Sequence, residues 1–207
     1  MMRKFVNVMP YAKTTMKVSQ DIQNFLDKES TKNFLKIAQQ FIELIETDNI
    51  QTKQFYRQAH ETLTDLYSVG HKLEQIELKY SSVDSEFEKT DNEFFRNQNQ
   101  ALISTLGKDC FYWEVFDPTY TEQDNGQPGQ DWKIKDKEPT QGWLVDDFSD
   151  IYRDLKIEFE KIKIGTDEAI EDAFWQMKWS FINHWGHHCI NALRYLHYLW
   201  YDGKLAM

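Results

Sequence analysis

The sequence predicts an all-α, single-domain helical bundle of about six helices that ends in a long, central C-terminal helix. Apolar residues recur at steps of three and four in segment after segment, and glycines stand where several of those stripes stop. With 207 residues, of which 41% are hydrophobic and 15% aromatic, the chain has enough apolar surface for a core without help from disulfides or metals. Residues 19–207 are assigned to the bundle, 1–18 to a partly ordered N-terminal segment, and 117–141 to a long surface loop.

Taken in order, Ile22, Phe25 and Leu26 mark a short helical lead-in. Segment 31–46 follows, with Phe34, Ile37, Ala38, Phe41, Leu44 and Ile45 on one face and Ser30 as its expected N-cap. A second helix is expected from Thr52 to Val69, striped by Phe55, Ala59, Leu63, Leu66 and Tyr67 and ended by Gly70, with a further turn or two over 71–79. A third spans Asp91 to Leu106 and closes on Gly107. The aromatic run CFYWEVFDP, residues 110–118, has an ambiguous period. Residues 117–141 hold three of the four prolines and no apolar period, which predicts a loop.

After the loop, Leu144, Phe148, Ile151, Leu155, Phe159 and Ile162 predict a helix over 142–163, ended by Gly165. Thr166 then caps a helix whose first turn carries Asp167 and Glu168, as the helix dipole favours. This last helix is expected to run unbroken to about Trp200, with Gly186 as its weak point. One stripe on it holds Ile170, Met177, Phe181, His184, His188, Tyr195 and Leu199, so both histidines are expected to face inward; Trp175, Ile182, Cys189, Leu193, Leu196 and Trp200 form a second apolar side.

Composition excludes several function classes. A formal net charge of −10, with no cluster of Lys and Arg, argues against nucleic acid and against an anionic membrane surface. No stretch approaches the roughly 20 apolar residues of a membrane span. The N-terminal apolar run is broken by Asn7 and Pro10 before it reaches signal-peptide length, and Cys110 and Cys189 stand in no paired or metal-knuckle spacing. These features predict a cytoplasmic protein with buried free thiols. No Gly-rich phosphate loop is present, so no nucleotide or other cofactor is expected.

The candidate chemistry lies in the second half. His184 and His188 have the i, i+4 spacing with which one helix face can hold a metal ion. No HExxH or ExxH pair accompanies them, so zinc-protease and ferritin-type di-iron centres lack their ligands. Asp147, Asp150 and Asp154 follow i, i+3, i+7 beside the apolar stripe of the preceding helix, and antiparallel packing would bring one or two of them to the histidines. That gives either a buried His–Asp hydrogen-bond network or a mixed His/Asp metal site. Arg153 lies on the opposite face, where it meets solvent or a partner chain. Gly186 in mid-helix costs about 1 kcal/mol relative to Ala, which implies close approach of another backbone, a kink or a ligand.

The motifs DDFSDIYRDLK (146–156) and FINHWGHHCINALRYLH (181–197), preceded by YWEVFDP (112–118), resemble a bacterial family of helical proteins, domain of unknown function 5063. The resemblance extends from about residue 18 onward, and the loop 119–141 is extended relative to the family. It implies a helical fold, no assigned activity, and hallmark positions at Asp146, Asp147, Asp150, Tyr152, Arg153, Asp154, His184, Trp185, Gly186 and His188. Small-ligand binding within the bundle is permitted by the many Trp, Tyr and Phe residues, and two more specific functions remain open on the residues. The first is a non-enzymatic module that binds a protein partner or self-associates through aromatics such as Tyr120, Trp132 and Trp143. The second is a metal-dependent or acid–base enzyme in which His184 and His188 are ligands or proton-transfer groups, Asp147, Asp150 or Asp154 their partners, and Arg153 and Tyr195 neighbours of the cluster.

Overall fold

A computed structural model describes residues 18–82, 87, 92–108, 110–115 and 138–201. These form one predominantly helical domain of seven helices and a small antiparallel ribbon among the described residues. In chain order they are α1 (Gln20–Asp27), α2 (Glu29–Ile45), α3 (Thr52–Lys72), α4 (Asn92–Leu106), β1 (Phe111–Glu114), β2 (Thr140–Trp143), α5 (Leu144–Ile164), α6 (Asp167–Asn183) and α7 (Trp185–Tyr201). Most of the loop assigned to 117–141, and the N-terminal segment almost to its end, lie outside the described residues.

The helices follow the stripes closely. Phe34, Ala38, Phe41, Leu44 and Ile45 of α2 are buried as their spacing requires, and α5 buries Leu144, Phe148, Ile151, Leu155, Phe159 and Ile162. α2 packs on α3, α3 on α7, and α5 on both α6 and α7, so α5 and α7 share the middle of the bundle. Gly165 ends α5 with a left-handed φ of 77°, and Thr166 caps α6 by accepting the amide of Ala169, a contact worth about 1 kcal/mol. With only these two residues between α5 and α6, the two helices form a hairpin.

Four expectations are corrected. Ser30 is not the cap of α2, which begins at Glu29 with Lys28 extended before it. Gly70 does not end α3: it is buried inside the helix, where an added Cβ would lie 2.6 Å from the Trp185 indole and 2.9 Å from the Phe181 ring. Its value is close packing rather than a left-handed turn. Residues 73–82 are not helical. The buried carboxylate of Glu171 on α6 instead accepts the backbone amides of Lys79, Tyr80 and Ser81 at 2.7, 2.7 and 2.8 Å, which ties that segment to α6.

The fourth correction is the last helix. It breaks at His184, whose φ of −145° and ψ of −87° are not helical, and restarts at Trp185. Trp185 is fully buried; its ring packs 4.8 Å from that of Phe181, and its indole N–H donates to the Met177 carbonyl at 3.1 Å. The Phe181 carbonyl occupies the space a Cβ on residue 186 would need, so Gly186 permits this tight joint. The second apolar side holds only in part: Cys189 and Leu196, beyond the break, are buried, but Ile182, just before it, is exposed.

The first strand of the ribbon comes from the run of ambiguous period. β1 pairs with β2 in the register Phe111↔Trp143, Tyr112↔Gly142, Trp113↔Gln141 and Glu114↔Thr140. Alternation turns Phe111 and Trp113 outward, both exposed, and Tyr112 and Glu114 toward the helices. Gly142 is needed because the Tyr112 ring lies where its Cβ would be. β2 runs straight into α5, so the ribbon sits one turn from Asp147.

Candidate functional site

The helix break and the ribbon together build a His–Asp cluster between α5 and α7. Asp147, Asp150 and Asp154 do stand on one face of α5. His188, in the first turns of α7, places Nδ1 2.9 Å from Asp147 Oδ1 and Nε2 3.5 Å from Asp150 Oδ2. His184, at the break, places Nδ1 2.8 Å from Asp154 Oδ2 and Nε2 3.9 Å from the same Asp150 oxygen. The two rings meet edge-on with centroids 4.9 Å apart. Each histidine is thus gripped by its own aspartate through Nδ1, and both Nε2 atoms turn toward the shared Asp150.

Burial grades across the cluster. Asp147 is 2% exposed, His188 and Asp150 are intermediate, and the His184 side chain is 45% exposed. The expectation that both histidines face inward therefore holds only for His188; His184, at the break, is left largely exposed. Burial raises the Asp147 and Asp154 carboxyls above the ordinary range, against the hydrogen bonds that His188 and Tyr112 give the first and His184 gives the second. Burial alone would lower His188, but its hydrogen bond to Asp147 and the charges of Asp147, Asp150 and Asp146 outweigh that, so its net direction is upward. A neutral His188 ring that donates from Nδ1 to Asp147 keeps its lone pair on Nε2.

The ribbon contributes groups that the sequence alone did not single out. Tyr112 donates its hydroxyl to Asp147 Oδ2 at 2.6 Å, and Tyr195 stacks on the Tyr112 ring at 5.2 Å. Burial beside Asp147 pushes the Tyr112 phenol well above its usual range. Glu114 accepts from the Asn191 amide at 2.6 Å, and burial followed by the charge of Asp147 raises its carboxyl. A period-two pattern at Tyr112 and Glu114 was the available signal, but four residues are too few to separate strand from helix.

Of the predicted residues, the structure brings together His184, His188, Asp147, Asp150 and Asp154, with Tyr195 at the edge through Tyr112. It does not bring Arg153, which is exposed, as its helix face requires, with its guanidinium 5.4 Å from the Phe95 ring centroid. Trp143 is half-buried against Phe111, with ring centroids 5.9 Å apart, while Tyr120 and Trp132 lie outside the described residues. Both cysteines are free and buried, and burial raises the Cys189 thiol far above the range of a nucleophile. Among the described residues, no helix is long and apolar enough to cross a membrane.

A helical bundle with a histidine–aspartate cluster between two central helices is thus the class that fold and site define. The family model for a domain of unknown function, DUF5063, matches residues 25–202, and the chain belongs to that family. No curated protein matches significantly. The crystal structure of protein BF1032 from Bacteroides fragilis is similar in fold, with a TM-score of 0.66 at 18% identity over 84% of this chain and 94% of that one.

Proposed function

We propose that the domain binds one divalent transition-metal ion through His184 Nε2, His188 Nε2 and an Asp150 carboxylate oxygen, and that it acts as a metal-dependent enzyme. The observation that carries this reading is the orientation of the two rings. Metal-ligating histidines characteristically donate their other N–H to a carboxylate, which fixes the tautomer and strengthens the ligand. Here two histidines do so independently, through Asp147 and Asp154, and both free nitrogens converge on a third carboxylate. A purely structural network needs no such convergence.

The spacing supports the same reading. Ligands about 2.1 Å from a tetrahedral ion lie about 3.4 Å from one another. The His188–Asp150 and His184–Asp150 distances are 3.5 and 3.9 Å, and all three ligand atoms fall within 4.8 Å of each other. Small rotations of the His184 ring, the most exposed of the three, would close the remaining gap. Three protein ligands leave at least one position for water or substrate, the arrangement of catalytic rather than structural metal sites. Bound there, the ion would supply Lewis acidity or a water of lowered pKa.

The test is a zinc titration of untagged protein against a chromophoric chelator, on the native chain and on a His184→Ala, His188→Ala double variant. One tight equivalent in the first, lost in a variant that remains folded, supports the centre. Absence of binding in the native chain refutes it.

A second reading, a protein-binding or self-associating module, is favoured by Trp113, 69% exposed on the outer face of the ribbon, and by Trp179, 46% exposed and stacked on Trp175. Sedimentation velocity over a hundredfold concentration range checks the self-associating form, and a monomer throughout contradicts it.

A further inference from the structure

The charge around the cluster limits what its open position admits. Asp146, Asp147 and Asp150 all act on His188 as negative charges, Asp154 is bonded to His184, and Glu114 feels Asp147 and Asp146 as like charges. The cations of α5 are engaged elsewhere. Arg153 lies over Phe95, Lys156 pairs with Glu46 at 2.7 Å, and Lys161 pairs with Glu158 at 2.9 Å and Asp172 at 2.7 Å. Arg194 acts on Glu114 as an opposite charge. Among the described residues, five carboxylates against this one arginine leave four negative charges when all are ionised, and a divalent ion removes two of them.

Sites that take phosphate or carboxylate substrates do the reverse, surrounding the anion with guanidinium forks, lysines or helix N-termini. In this cluster the first turns of α5 carry Asp146 and Asp147, so acids already occupy the end of the helix where an anion would otherwise find positive potential. Resting on the metal reading above, we infer that the centre takes an uncharged or cationic substrate, such as an amide, an uncharged ester or an amine, and rejects phosphate esters and carboxylates. The field that repels anions draws cations and neutral dipoles to the exposed His184 side of the ion.

The probes are two small metal ligands of different charge, azide and imidazole, titrated into the full-length protein loaded with one equivalent of cobalt(II) and followed by its visible absorption. The same titrations are made on an Asp146→Asn, Glu114→Gln variant, which retains all three ligands and both aspartates that hold the rings. Removing two negative charges should tighten azide about tenfold while imidazole changes less than twofold. Raising ionic strength with a non-coordinating salt should tighten azide on the native chain in the same direction, so the inference stays testable if the variant does not fold. Azide binding that is indifferent to both the substitutions and the salt overturns the inference and leaves the metal centre standing. Failure of cobalt to give a protein-bound spectrum overturns the metal centre itself, and the substrate class with it.

Discussion

Replacing Asp147 by Asn separates a metal centre from a structural network, because the two accounts give opposite signs. Asp147 is 2% exposed, accepts from His188 Nδ1 at 2.9 Å and from Tyr112 at 2.6 Å, and carries a carboxyl that burial raises. An amide of the same shape can turn its oxygen to His188 and its NH₂ to the Tyr112 hydroxyl, which can accept, so both contacts survive without the charge. Free of a costly buried charge, metal-free D147N should be as stable as the native chain within about 1 kcal/mol, or more stable. Metal binding should suffer in the same protein, since loss of a carboxylate behind a ligating histidine weakens affinity about 10- to 100-fold, or about 1.4 to 2.7 kcal/mol. Paired urea melts of metal-free protein and zinc competition titrations measure the two effects. A D147N chain that loses 3 kcal/mol of stability and binds zinc as the native chain does would falsify this reasoning and make the cluster a structural staple.

Three further perturbations follow from the geometry. Gly186→Ala would drive a methyl into the Phe181 carbonyl, a backbone atom fixed by the α6–α7 joint, and should cost about 3 kcal/mol in a denaturant melt while displacing His184 and weakening zinc. Tyr112→Phe keeps the ring stacked on Tyr195 and packed on Gly142 but removes the bond to Asp147; a loss of about 1 kcal/mol and a severalfold fall in zinc affinity are expected, and a variant that abolishes zinc binding would contradict the outer position given to Tyr112. Glu158, 7% exposed and faced by Lys161 on its own helix, by Asp172 of α6 and by Asp154, has its carboxyl raised by burial to about 7 from 4.5. Its folded form therefore holds an extra proton between those values. Stability should fall by roughly 3 kcal/mol as pH rises across that interval, and Glu158→Gln should flatten this part of the pH profile of the melt. An unchanged slope in the variant would place the titration elsewhere.

The parts of this site that could be read from the residues are those governed by helix geometry. Aspartates at i, i+3 and i+7 share a face of α5 wherever that helix packs, and the short spacing of His184 and His188 keeps both near the start of α7, which packs on that face; the two-residue Gly165–Thr166 link by itself joins α5 only to α6. Helix periodicity was silent on the break at His184, because Phe181, Trp185, Cys189 and Leu196 remain apolar across it and the stripe reads as continuous. Gly186 marked the place, but which way the chain bends depends on Trp185 finding room beside Gly70, over a hundred residues earlier in the chain. Tyr112 and Glu114 escaped for a similar reason. Their partners Gly142 and Thr140 lie across the long loop, and pairing at that separation leaves no local signature in four residues. Glu171, likewise, gave no hint that it would gather three amides from residues 79–81.

The measurement that bears most directly on the central claim is a crystal structure of the chain loaded with one equivalent of zinc, with anomalous data collected on both sides of the zinc edge. The account predicts a single anomalous peak about 2.0 to 2.2 Å from His184 Nε2, His188 Nε2 and an Asp150 oxygen, with Asp154 and Asp147 still bonded to the two Nδ1 atoms. A peak bound through Nδ1, or one seated away from Asp150, would contradict it.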